Sequence, residues 1–212
     1  MTLNLARPIG ECPVSELHGP GRRFVFWVQG CALRCTKRCI NPEALSLAPR
    51  HVRGAEEVAE EVVRRCEADG AEGVTVLGGE PTEQAAGVAA VFEAVRRAGR
   101  STMLYSGHTY EALCARGDGA VTRLLDATDL LVDGPFLEAE RDEGLRWRGS
   151  RNQRVLLLTE RYSEEAIRAA PVLRGLDAVL GADGRVHVSG MHDRAVTRRV
   201  TAALTRGGRN AR

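Results

Sequence analysis

Residues 24–43, FVFWVQGCALRCTKRCINPE, constrain this chain more than any other stretch. The apolar run from Phe24 to Val28 predicts a buried strand. It passes through Gly30 into three cysteines, Cys31, Cys35 and Cys39, within nine residues. Thiolates are soft ligands for iron–sulfur clusters or zinc, and this spacing lets one loop wrap one metal group. A closed tetrahedral site needs a fourth ligand. The next candidate, His51, lies twelve residues on, past Pro42 and Pro49. The economical reading is a cluster with three protein ligands and one open position; a zinc knuckle or a chance group of buried cysteines is the alternative.

The loop resembles the cluster loop of the radical S-adenosylmethionine (SAM) superfamily. It is most similar to small members of the type that activates the anaerobic ribonucleotide reductase, whose pattern runs roughly VQGC-x3-C-x2-C-x-NPE. Val28-Gln29-Gly30, the first cysteine spacing and Asn41-Pro42-Glu43 all match. The resemblance implies a [4Fe–4S] cluster on Cys31, Cys35 and Cys39, with SAM chelating the open iron. The second spacing is C-x3-C, one residue longer than the pattern, and Arg38 stands where the family has an aromatic near the adenine. A planar guanidinium stacks on a purine, which makes Arg38 a candidate cofactor contact.

At 212 residues the chain is expected to be a single domain, 1–212, with a basic tail from about 198. A net charge of +2 demands neither nucleic acid nor a lipid surface. Lys37 is the only lysine, which reads as coding bias. No apolar run approaches the roughly 20 residues of a membrane span. Six cysteines with no secretory pattern point to reduced thiols and a cytoplasmic location.

Along the chain, residues 2–8 suggest an edge strand and 18–22 a Gly-Pro turn. Apolar spacing predicts a helix over 55–69 with Cys66 packed on it, a strand over 73–77 and a helix over 84–98. Strands follow at 102–105, 129–132 and 155–158, with a helix at about 110–116 and a hairpin-like segment over 178–190. Trp27 is expected in the core, and Cys12 and Cys114 are read as structural. Alternating strands and helices imply a parallel sheet. About five or six units fit, fewer than a closed barrel needs, so the expected fold is α/β, a partial, open (β/α) barrel of five or six parallel strands.

The turns after these strands carry the remaining signatures. Gly78-Gly79-Glu80-Pro81 resembles the family's site for the SAM amino group, and glycines there let backbone approach a ligand. On that reading a β-branched residue at Gly79 blocks SAM and leaves the cysteine loop untouched. YSGHT (Tyr105–Thr109), VDGPF (Val132–Phe136) and RGSRNQR (Arg148–Arg154) resemble the same group. Ser106, His108 and Asp133 are therefore candidate contacts to SAM or substrate. For Asp133 the alternative is turn chemistry, and for Arg148, Asn152 and Gln153 it is bonding to loop backbone.

The resemblance implies reductive cleavage of SAM to methionine and a 5′-deoxyadenosyl radical. It also implies an external flavodoxin- or ferredoxin-like electron donor and, as the first reading, a glycyl-radical enzyme as partner. A second reading is modification of a small molecule or peptide. A third is a non-catalytic iron–sulfur or zinc protein, against which the GGEP and YSGHT turns argue. No auxiliary cluster, nucleic acid or membrane partner is expected.

Overall fold

The computed structural model describes residues 1–37, 39–181, 184, 186–190, 196, 199, 200, 202 and 203. Arg38 lies outside the described residues, as does most of the basic tail expected from about 198. Among those described, the strands are β1 (Thr2–Leu5), β2 (Val14–Ser15), β3 (Arg23–Val28), β4 (His51–Gly54), β5 (Gly73–Gly78), β6 (Ser101–Tyr105), β7 (Leu130–Asp133), β8 (Arg154–Leu157), β9 (Asp177–Leu180) and β10 (Val186–Ser189). The helices are α1 (Ala55–Ala68), α2 (Ala85–Arg97), α3 (Tyr110–Ala115), α4 (Gly119–Asp126) and α5 (Glu164–Ala169).

Eight strands make one open sheet in the order β4-β1-β3-β5-β6-β7-β8, with β2 added onto β3. The expected α/β class holds, with β4 and β8 as its two edges. Four strands, β3, β5, β6 and β7, run parallel in sequence. The parallel run is thus shorter than five or six, because β8 returns antiparallel to β7. A parallel return needs a crossover of a dozen or more residues, usually helical. Residues 134–153 hold the short turn Glu138–Glu140 and an isolated bridge between Arg141 and Ser150, but no α-helix.

The N-terminal strand also differs from expectation. β1 lies inside the sheet, antiparallel to both β3 and β4, and β4 takes the edge. The 178–190 segment does form a hairpin, β9 with β10.

Helix α1 buries Val58, Val62 and Cys66, one stripe at four-residue spacing, against the sheet. Asp118 caps α4 through the N–H groups of Ala120 and Val121, and Thr109 caps α3 through that of Ala112. Each cap is worth about 1 kcal/mol.

The sheet has two differently covered faces. Val74, Val76, Leu104 and Leu131 join α1, α2 and α4 in the main core. Met103, Leu130 and Val132 point the other way, where Trp147 and Ile167 cover them. Trp27 is buried as expected, with Arg7 over its ring at 4.2 Å. Cys12 is buried and its thiol is pushed up to about 12 by that burial. Cys66 is buried too, but Cys114 is exposed on α3.

Candidate functional site

The C-terminal ends of the four parallel strands deliver the sequence signatures to one mouth. This is where ligand-binding residues of parallel α/β sheets gather. From β3 comes Gln29-Gly30-Cys31, from β5 Gly78-Gly79-Glu80, from β6 Ser106-Gly107-His108, and from β7 Asp133.

The cysteine loop and the glycine turn are bonded to each other directly. Gly79 N–H donates to Val28 O (2.9 Å), and Glu80 N–H to Gly30 O (2.8 Å). Asn41 Nδ2 donates to Gly78 O (3.4 Å), and Ala32 N–H to Glu83 Oε1 (2.7 Å). Gln29 braces the far side of the loop, its Nε2 donating to Ser46 O (2.8 Å) and Glu43 O (3.2 Å).

This contact corrects the reading of the two glycines. A Cβ built on Gly79 falls 1.8 Å from Gly30 O and 2.7 Å from Ala44 O. At Gly78 (φ 126°) it falls 2.2 Å from Val28 O. The close approach these glycines permit is made to the cysteine loop, so a side chain at Gly79 collides with that loop rather than sparing it.

Glu80 is buried, and both carboxylate oxygens bond protein. Oε1 accepts from Thr82 N–H (3.1 Å), Thr82 Oγ1 (2.7 Å) and Ser106 Oγ (3.0 Å). Oε2 accepts from Gly107 N–H (2.8 Å). The side chain ties the turn after β5 to the turn after β6. Ser106 Oγ also accepts from His108 N–H at 3.1 Å.

Asp133 is likewise committed to protein. It accepts from Tyr110 N–H (2.7 Å) and pairs with Arg154 through Nε (3.0 Å) and Nη2. Arg154 in turn grips Glu111, and the two carboxylates raise its pKa, Asp133 most. Gln153 accepts the N–H groups of Gly149 and Ser150, Asn152 donates to Pro135 O, and Arg148 donates to Gln153 O. The backbone-bonding reading of RGSRNQR describes these contacts. Gly78, Gly79, Gly107 and His108 are only partly buried at the mouth.

None of the six cysteines is in a disulfide. Cys31 is buried, Cys39 half-buried and Cys35 exposed. Burial pushes the Cys31 and Cys39 thiols up, with backbone N–H groups nearby pulling the other way. Among the described residues no three His, Cys, Asp or Glu side chains already stand at metal-holding distances. The donor set still fits an iron–sulfur group: three unoxidised soft ligands on one loop, at a strand mouth, with an exposed central thiol.

Sequence reasoning found the loop, the glycine turn and the Ser106 turn. It missed the staples: Gln29, Glu83 and the Asp133–Arg154–Glu111 chain. Gln29 and Asn41 were visible only as matches to the VQG and NPE pattern, which carries no hint of what they bond.

A family model described as a 4Fe-4S single cluster domain matches residues 17–156. The chain is 32% identical over 148 residues to the anaerobic ribonucleoside-triphosphate reductase-activating protein of Vibrio cholerae, covering 66% of this chain and 91% of that one. It is 33% identical over 135 residues to the pyruvate formate-lyase-activating enzyme of Listeria monocytogenes, covering 62% of this chain and 54% of that one. The Escherichia coli anaerobic ribonucleoside-triphosphate reductase-activating protein is 26% identical over 155 residues, with 68% and 93% covered. With its three-thiol loop joined to the glycine turn at the mouth of a parallel sheet, the chain belongs to the 4Fe-4S single cluster domain family and is a radical SAM enzyme that uses a [4Fe–4S] cluster and S-adenosylmethionine.

Proposed function

We propose that Cys31, Cys35 and Cys39 hold the cluster, that SAM lies along Gly78–Pro81 and the Ser106–His108 turn, and that the enzyme activates a glycyl-radical partner. The observation that supports this is the direct bonding of the cysteine loop to the Gly79 turn, so that a cluster held by the loop would lie beside a polar backbone edge. When bound and reduced, the cluster supplies the electron that splits SAM into methionine and a 5′-deoxyadenosyl radical.

The chain's own groups do the positioning. Glu80 fixes the Ser106 turn against the glycine turn, and Glu83 holds the first residue after Cys31. Asp133 and Arg154 pin the start of α3 behind His108. Arg38 is kept as a candidate adenine contact on its sequence position alone. The partner class follows from the relatives, two of which are named as activators of a ribonucleoside-triphosphate reductase and one as an activator of pyruvate formate-lyase. The electron donor is a one-electron protein of flavodoxin or ferredoxin type. Six cysteines outside any disulfide suit a reducing, cytoplasmic setting, and no helix of the described residues is long and apolar enough to cross a membrane.

The test is to mix reduced, cluster-loaded protein and SAM with a glycyl-radical enzyme encoded in the same genome. A glycyl doublet in the paramagnetic resonance spectrum is expected. Steady 5′-deoxyadenosine release with no radical on the partner would replace this reading with modification of a small molecule or peptide.

A further inference from the structure

The N–H of Ala32, the residue after Cys31, leaves the cysteine loop. It donates to Glu83 Oε1 at 2.7 Å, across 51 residues of sequence. Glu83 belongs to the short turn Pro81–Gln84, where its own N–H donates to Glu80 O at 3.1 Å. Ala32 and Glu83 are both exposed, so the Glu83 side chain can change without leaving a buried group unpaired.

The next two N–H groups face the other way. Those of Arg34 and Leu33 act on the Cys31 sulfur and favour negative charge there, whereas the Glu80 and Glu83 carboxylates oppose it. Arg34 has a left-handed backbone (φ 42°), and successive N–H groups of a turn with one left-handed residue can converge on a single anion. The turn therefore favours a thiolate at Cys31, yet one of its N–H groups is withheld and a carboxylate stands in that group's direction.

The far end of the loop is balanced differently. Glu43 opposes negative charge on Cys39, but Arg7 Nη2 lies 3.8 Å from its carboxylate, on a guanidinium buried over the Trp27 ring. Among the described residues no cation pairs with Glu83. Glu80 divides its charge among four hydrogen bonds at the mouth. Glu83 is thus a carboxylate tied to the cysteine loop itself, with its charge unmatched.

We infer that Glu83 keeps the reduction potential of the cluster low, by holding a carboxylate beside Cys31 and by taking an N–H that is otherwise free to bond cluster sulfur. The inference rests on Cys31, Cys35 and Cys39 as the ligands, as proposed above. Reduction adds one negative charge to a cluster, so a nearby carboxylate destabilises the reduced form and N–H groups on its sulfurs stabilise it. A lower potential makes the reduced cluster a stronger one-electron donor to the sulfonium of SAM. That electron breaks the sulfur–carbon bond to give methionine and the 5′-deoxyadenosyl radical, and the cluster returns to its oxidised form until the external donor reduces it again.

Glu83→Gln separates charge from bonding, because the amide oxygen still accepts from Ala32 N–H while the negative charge is gone. Cluster-loaded wild type and variant, both without SAM, are titrated against redox mediators while the paramagnetic signal of the reduced cluster is followed. At a given potential the reduced-to-oxidised ratio of the variant should be about fivefold higher, a midpoint roughly 40 mV above wild type for a one-electron couple. Glu83→Ala, which also frees Ala32 N–H, should rise further. A brace that acts only through its hydrogen bond predicts a wild-type midpoint in Glu83→Gln, and that result, or a lower midpoint, overturns the inference. If Glu83→Gln does not load, the midpoint of Glu83→Ala decides in the same way. Loss of loading in both makes Glu83 a structural brace and overturns it too. A wild-type chain that forms no cluster removes the ligand reading and this inference with it, whereas a loaded wild type with unmoved variants removes only the role of Glu83.

Discussion

The glycine turn and the cysteine loop meet in the same mouth but are built in opposite ways. Around Gly78–Gln84 the protein bonds itself: Glu80 accepts four hydrogen bonds, and Gly79 touches backbone of the opposing loop. Among the described residues from Cys31 to Cys39 the chain is more open, with Cys35 exposed and Ala32 anchored through Glu83. The difference teaches that the glycine turn is set by contacts within the protein, whereas the cysteine loop, on the reading proposed above, is completed by its metal. Thiols that burial keeps protonated give up protons on binding iron, so metal loading and loop geometry are coupled.

The sharpest way to break this comparison is to remove a ligand. Cys31→Ala and Cys39→Ala should each abolish cluster loading, reducing bound iron to background in a reconstitution assay. Cys66→Ala and Cys114→Ala should load normally. An intact cluster in Cys39→Ala would mean that another residue is the third ligand and that the longer C-x3-C spacing bypasses Cys39.

The next effect falls on the join between the two regions. Gly79→Val places carbon against Gly30 O and Ala44 O, and overpacking of this kind costs about 3 kcal/mol or more. Both cluster content and SAM binding should fall together, with a lower thermal midpoint. A variant with full iron content that lacks only SAM binding would show that the turn and loop are less tightly joined than they are here.

A smaller change separates the turn from the loop. In Glu80→Gln an amide donor replaces one acceptor, so either Gly107 N–H or the Thr82–Ser106 set loses its partner. The cost is about 1–3 kcal/mol. Iron content should hold while SAM affinity, measured by calorimetry, drops.

His18, which is none of the candidate site residues, supplies a reference. It is buried against Trp27, and burial, aided by Arg23, lowers its pKa to about 4 from 6.5. Its Nε2 lies 4.0 Å from Asp177 Oδ2, too far for a hydrogen bond, and burial raises Asp177. A folded pKa below the unfolded one means the unfolded chain binds the proton first. Stability is therefore full above 6.5 and is lost as pH falls toward 4, on the order of 3 kcal/mol for His18 alone. Protonation of Asp177 in the folded state offsets part of this. In urea titrations His18→Gln should flatten that acid limb while leaving cluster loading at neutral pH unchanged.

The features legible in sequence were those carried by local pattern. Apolar periodicity placed α1, α2 and the parallel strands to within a residue or two, and three clustered thiols marked the loop that meets the Gly79 turn. What stayed hidden depends on residues distant in sequence. The strand 2–5 joins the sheet interior only because 51–54 pairs outside it, and β8 reverses because its connection lacks a crossover helix. Two of Glu80's partners, Ser106 and Gly107, lie 26 and 27 residues away. The clash that defines Gly79 arises where two loops pack, which no single-strand pattern records. Asp133 read as a candidate ligand because a carboxylate at a strand mouth looks alike whether it faces SAM or Arg154.

The central claim is that this one mouth binds a cluster and SAM together and turns them into a radical source. The direct measurement is anaerobic product analysis of reconstituted protein, reduced with dithionite and supplied with SAM but no partner. The account predicts slow release of 5′-deoxyadenosine and methionine in equal amounts, and none from Cys31→Ala. A reduced, cluster-loaded protein that neither binds SAM nor forms 5′-deoxyadenosine would contradict it.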